Sequence, residues 1–192
     1  KQELSKKTQD LFKKQEYKQV ITLLLENKAL TENNADLLHL LADSYYEICE
    51  YQNAILFYEN ALKVEPNKYW SLFNLARVYS KCITEKITLD LERSSIINKT
   101  IAIYVKLISL YPNKENPLLK LRELYTYLKK IDELSLINNL ILLRRQHRQI
   151  NPRQKQKIDF MLIGSMKSAT TTLFEVISLH PKFSKPIAKE IH

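Results

Sequence analysis

Residues 35–66 read ADLLHLLADSYYEICEYQNAILFYENALKVEP. In the first half, large Leu38 and Leu41, small Ala42 and aromatic Tyr45 recur at helical spacing. Tyr51, Ala54, Tyr58 and Ala61 do the same in the second half, and Pro66 closes the stretch. Steps of three and four residues put each set on one face of a helix. Small side chains at Ala42, Ala54 and Ala61 let two antiparallel helices approach closely, while the aromatics fill the space between successive pairs. The stretch predicts a helical hairpin.

Shifting the pattern by 34 residues tests whether it repeats. Backwards, Leu4, Leu11, Tyr17, Val20 and Leu24 take equivalent places; forwards, Leu72, Leu75, Ala76 and Tyr79 do. Pro112 follows Pro66 by 46 residues, a surplus of 12 over one period, and that surplus falls around Cys82–Arg93. It reads as longer helices or an insertion at the turn. A degenerate copy follows at Leu118, Leu121, Tyr125 and Ile131, and a charged helix through Leu143–Arg148 is expected to cap the stack. The pattern resembles the tetratricopeptide repeat. The resemblance implies an all-α tetratricopeptide-repeat solenoid over residues 1–150, with copies at about 1–34, 35–68, 69–114 and 115–148. Seven or eight helices in antiparallel pairs, stacked with a right-handed turn, are expected, and the groove of such an array holds a protein or peptide partner.

Composition agrees with a globular helical chain. Of 192 residues, 45% are apolar and 27% charged, so wholesale disorder is excluded. A single Gly excludes collagen-like and turn-dense β architectures. Two cysteines, Cys49 and Cys82, cannot build a disulfide framework or a four-ligand zinc site, which points to a reducing, cytoplasmic setting and to no metal. No apolar run reaches membrane-spanning length. Residues 1–140 carry 20 basic and 18 acidic side chains, a balance of +2, which argues against nucleic acid as a partner. The eleven tyrosines are read as helix packing rather than a base-stacking platform, and Trp70 as interhelical core. His39 and His147 are read as solvated or packed, each without a second ligand one turn away.

The pattern changes after Asn151-Pro152, which ends the helical region. Residues 153–157 form a basic linker, and residues 141–192 carry 10 basic against 3 acidic side chains, a balance of +7 that favours an anionic ligand. Ile158–Ile163 is an apolar run broken only by Asp159, followed at once by the chain's one glycine, Gly164. That reads as a buried strand turning sharply into a helix over Ala169–Leu179, which His180-Pro181 stops. Strand, turn with Lys167 and Ser168, then a helix with Thr170 and Thr171 in its first turn is the geometry of a phosphate cradle. A Walker A loop is excluded, because no second Gly precedes the Lys.

The ordered string Gly164, Lys167, Ser168, Thr170, Thr171, Leu173, His180-Pro181, Lys189-Glu190 and His192 resembles the phosphosulfate-binding segment of the sulfotransferase family, nearest its carbohydrate and heparan sulfate branch. Ala169 stands where that family usually carries Gly. The resemblance implies a P-loop-like α/β domain, of which residues 158–192 are the first βα unit, and 3′-phosphoadenosine 5′-phosphosulfate (PAPS) as donor, with no metal. It implies that Gly164, Lys167, Ser168, Ala169, Thr170 and Thr171 bind the 5′-phosphosulfate. Lys167 stabilises charge as the sulfuryl group leaves, and Glu190 is the general base toward a hydroxyl or amine acceptor, a carbohydrate in the nearest branch. Lys189 is a second charge contact. Residues 151–192 fall far short of such a domain, so this chain is expected to be a portion of a larger sulfotransferase, inactive alone. The alternative is a repeat module that binds proteins and catalyses nothing.

Overall fold

The computed structural model describes residues 2–149, and every element among them is an α-helix. Nine occur there: α1 (Gln2–Lys13), α2 (Tyr17–Glu26), α3 (Lys28–Glu32), α4 (Ala35–Glu47), α5 (Tyr51–Val64), α6 (Tyr69–Thr84), α7 (Arg93–Leu110), α8 (Asn116–Tyr127) and α9 (Ile131–Gln149). The chain divides into two compact units, Lys1–Leu110 and Tyr111–His192. The strand, loop and helix expected over residues 158–192 lie outside the described residues.

The first unit is built from hairpins. Asn34 caps α4 by accepting from the N–H groups of Asp36 (3.0 Å) and Leu37 (3.4 Å), which starts the helix at Ala35. Side-chain contacts between α4 and α5 pair Tyr46 with Tyr51, Tyr45 with Phe57 and Asp43 with Tyr58. Partners retreat along one helix as they advance along the other, so the two are antiparallel. Ala42, Ala54 and Ala61 are completely buried at the contact, and Tyr45 stacks on Phe57 at 5.3 Å with the rings parallel.

Across α4 and α6 the order is different. His39 meets Ser71, Asp43 meets Asn74, and Arg77 lies over Tyr46, at offsets of 32, 31 and 31 residues. Both numbers of each pair increase together, so α4 and α6 run parallel with α5 packed against both. Helix α7 returns against α6, with Tyr104 near both Ser80 (3.2 Å) and Phe73. Its completely buried Thr100, Tyr104 and Leu107 lie 46 residues after Ala54, Tyr58 and Ala61, the same distance that separates the two prolines. The 12-residue surplus is therefore taken up before α7 settles into place. It is divided between a 16-residue α6, an 18-residue α7 and the segment joining them, where Arg93 donates to the Ile83 carbonyl at 3.1 Å.

Two core assignments need correction. Trp70 is 55% exposed and not interhelical core. It shares the face of α6 that carries Asn74 and Arg77, while Leu72 and Phe73 are the residues turned into the packing. Ile131, placed with the fourth copy's packing residues, is 76% exposed at the first position of α9. Leu118, Leu121 and Tyr125 are buried as expected, but their counterparts on α9 are Ile137 and Ile141. The five-residue α3 was also unexpected. Its buried Thr31 donates to the Leu24 carbonyl (2.8 Å), which satisfies a polar group that burial would otherwise penalise.

Candidate functional site

The first unit carries a polar network on α4, α5 and α6, centred on Asp43. Tyr58 donates its hydroxyl to Asp43 Oδ1, and Asn74 Nδ2 donates to the same oxygen at 2.9 Å. His39 Nε2 lies 3.3 Å from Asp43 Oδ2, and its Nδ1 is 3.1 Å from Ser71 Oγ. One carboxylate thus joins three helices. Burial, reinforced by the Asp43 charge, holds the Tyr58 phenol far above its usual value, so it stays a donor. Burial lowers the His39 pKa below 6.5, with Asp43 opposing that shift. The neutral ring can donate from Nε2 to Asp43 and accept from Ser71 at Nδ1. His39 is thus a packed histidine, although Asp43 stands one turn along as a partner that the sequence reading overlooked. No group of three or more metal-ligating side chains occurs among the described residues.

Ser71, His39 and Asp43 have the residue types of a hydrolytic triad, but the arrangement cannot act as one. Ser71 is completely buried, so its hydroxyl cannot meet a substrate carbonyl. Asp43 also receives two further donors from Tyr58 and Asn74. The chain of bonds fixes helix positions.

Outward from Asp43 the network ends in a groove of about 200 Å³. Asn74 Oδ1 accepts from Arg77 Nη1 at 3.0 Å, and the guanidinium lies over the Tyr46 ring, 5.4 Å from its centre. Two contacts therefore hold the Arg77 fork, and among the described residues no carboxylate forms an ion pair with it. Phe12 of α1 supplies an aromatic wall, and exposed Glu47 lies at the rim without an ion pair among the described residues. The groove offers a positioned donor, an acceptor and aromatic surface.

The residues carried over from the sulfotransferase resemblance, Gly164, Lys167, Ser168, Ala169, Thr170, Thr171, Lys189 and Glu190, lie outside the described residues. His147 belongs to α9, whose side chains are described only as far as Arg145. Sequence reasoning expected a partner groove but, of its residues, named only Tyr58, and that as helix packing. The available signal was register: Phe12, Tyr46 and Ser80 fall 34 residues apart, so Phe12 and Tyr46 occupy the same helix face. Asn74 and Arg77 carry no such mark, since polar residues on a helix usually face water.

No protein-family model matches the chain. A stretch of 78 residues, 41% of this chain, is 36% identical to part of the rhomboid protease GluP of Bacillus subtilis (strain 168). The match covers 15% of that protein, so this chain spans only a small part of the relative's length. Among the described residues no helix is long and apolar enough to cross a membrane.

Proposed function

We propose that this chain joins a tetratricopeptide-repeat recruitment array to the beginning of a PAPS-dependent sulfotransferase domain. The observation that carries the catalytic half is the ordered string from Gly164 to His192, in which Lys167, Thr170, Thr171, His180-Pro181 and Glu190 keep the family's sequence and spacing. Lys167 bears on the bridging oxygen as the sulfuryl group leaves, and the hydroxyls of Ser168, Thr170 and Thr171 bind the 5′-phosphate. Glu190 takes the acceptor's proton. In the full-length protein, Lys167→Ala is expected to lower sulfuryl transfer by roughly 10²-fold or more. Affinity for PAP, the desulfated nucleotide, should change less, because Lys167 acts on charge that develops in the transition state. Unchanged turnover in that variant rules out the phosphosulfate assignment.

The recruitment half is supported by the hairpin α4–α5 with α6 running parallel to α4 one step on, the arrangement a repeat of about 34 residues produces. The groove beside Arg77 and Tyr46 is where such an array takes an extended segment of a protein or peptide partner. An interaction module without catalysis is the second reading. It is favoured if the full-length protein binds neither PAP nor PAPS while retaining a partner.

A further inference from the structure

We propose that the outward face of α9 is the seat of another segment of this chain, the helix expected over Ala169–Leu179. The inference goes beyond the recruitment and transfer readings, and it rests on apolar pattern and burial rather than on the phosphosulfate assignment. An array of helical hairpins ends on a helix whose outer face is polar. Helix α9 does not meet that requirement. From Leu134 to Leu143, seven of ten residues are Leu or Ile and none is charged. At about 100° per residue, those seven side chains spread over roughly 260° of the helix circumference. Only Ile137 and Ile141, which point in nearly the same direction, are buried, and α8 is the helix packed on α9 in this unit. Leu134, Leu136 and Leu140 are half-buried, while Leu142 and Leu143 are 56% and 42% exposed. A helix apolar over so much of its surface is a buried helix. Among the described residues, one side of α9 has its cover and the other does not.

The size of the uncovered stripe selects its occupant. Leu136 to Leu143 extends only about 10 Å along the axis. Four partly covered leucines fall far short of the ~800 Å² per partner that a stable interface between two copies buries. A tethered segment needs less, because the link raises its effective concentration to about the millimolar range. Residues 169–179 read ATTTLFEVISL, with Glu175 as the one charge. On a helix, Leu173, Phe174, Val176, Ile177 and Leu179 spread over roughly 220°. That is about twice the width a helix needs to pack on one neighbour, so an apolar side remains after the first contact is made. The tether permits the return. Helix α9 continues about 9 Å from Leu143 to Gln149, and residues 150–168 span up to about 60 Å when extended. Leucines without cover on α9 meet a segment with apolar surface to spare, and the contact fixes the direction in which the chain leaves the array.

The test uses the full chain with Cys49→Ser, which leaves buried Cys82 as its one native thiol. Leu143→Cys is combined in turn with Leu173→Cys, Phe174→Cys, Val176→Cys, Ile177→Cys or Leu179→Cys. In a control set, Glu123→Cys, at an exposed position of α8, takes the place of Leu143→Cys. Under mild oxidation, at least one pair with position 143 is expected to close within the chain at least tenfold faster than its counterpart with position 123. Adding Leu142→Asp should slow that closure at least fivefold with the helical circular dichroism unchanged. Equal rates from positions 123 and 143 overturn the inference, since they describe a segment that visits both. Disulfides that form only between chains, at a rate rising with protein concentration, overturn it as well and make a second copy the occupant. Fast closure that Leu142→Asp leaves unchanged overturns the apolar seat. PAP binding by the full-length protein reads the phosphosulfate assignment independently, so each of these failures leaves that reading standing.

Discussion

In the α4–α5 hairpin the residues at the closest helix contacts are Ala42, Ala54 and Ala61, all completely buried, and Asp43 ties the pair to α6 through Tyr58 and Asn74. In the α8–α9 hairpin the buried residues are large: Leu118, Leu121, Leu124 and Tyr125 on one helix, Ile137 and Ile141 on the other. Its ion pairs each have a largely exposed cation, as in Arg145–Glu115 at 3.2 Å, and Leu142 and Leu143 are 56% and 42% exposed. Small residues at the contacts and a partly buried polar hub restrict the packing. Large aliphatic side chains with ion pairs of this kind tolerate several packings. The first hairpin is the more tightly specified, and substitutions should separate the two.

The largest difference is expected from added volume. Ala54→Trp places an indole where helix contact leaves no space, and should cost on the order of 1–3 kcal/mol. Asn139→Trp, at an exposed position of α9, should stay within about 0.5 kcal/mol. Thermal melts of the two variants followed by circular dichroism check this, and equal losses would erase the contrast. Removing one hydroxyl is the next step down. Tyr58→Phe takes a donor from Asp43 and should cost about 1–2 kcal/mol, because a partly buried carboxylate loses one of its partners. Tyr125→Phe removes a hydroxyl from the other hairpin, where burial and Glu133 raise its pKa to about 12 and no hydrogen bond among the described residues holds it. That change should be worth less than about 0.5 kcal/mol.

Acid should also distinguish the regions. The His39 pKa is lowered in the folded state by burial, a shift that Lys68 reinforces and that Asp43 and Asp36 oppose. Below 6.5 the unfolded chain therefore binds a proton that the folded chain resists. Stability attributable to this site is intact above that pH, falls as pH drops through it, and stops falling below the folded pKa. Residues 111–145, which include α8 and most of α9, contain no histidine. His39→Gln should flatten the dependence of melting temperature on pH between about 5 and 7. A slope that survives the substitution would assign the effect to other groups.

Legibility followed chemistry that repeats. Leu38, Leu41, Ala42, Tyr45, Ala54, Tyr58 and Ala61 are all buried, because apolar spacing and burial have the same physical cause. Trp70 and Ile131 were misassigned for a common reason. Side-chain type suggested core, while position along the helix set exposure: Trp70 lies on the face of Asn74 and Arg77, and Ile131 is the first residue of α9. The Asp43 hub was hidden because its partners are 4, 15 and 31 residues away, on three helices, with no shared period. The phosphosulfate string was readable as a pattern, and its residues lie outside those the structure describes.

The smallest expected effect concerns what the two hairpins share. Gln15, Cys49, Lys86 and Lys129 have positive φ, at 62°, 63°, 57° and 56°, each just after the first helix of a pair. At Cys49 and Lys129 the hydrogen bonds correspond closely: Cys49 N–H to the Tyr46 carbonyl and Glu50 N–H to Tyr45, then Lys129 N–H to Thr126 and Lys130 N–H to Tyr125. This is the left-handed turn that caps a helix C-terminus and usually carries Gly. A side chain with a Cβ is disfavoured there by roughly 1 kcal/mol. The chain's one Gly, at position 164, is elsewhere, so all four turns bear that cost. All four side chains are exposed, and of the two replaced here only Cys49 has a side-chain partner, the Tyr51 hydroxyl. Glycine also loosens the unfolded chain, which offsets part of the gain. Cys49→Gly and Lys129→Gly should each stabilise by about 0.5 kcal/mol, and the double variant by about their sum, since the sites share no partners. A gain at Cys49 with a loss at Lys129 would show that the second hairpin does not hold the turn of the first.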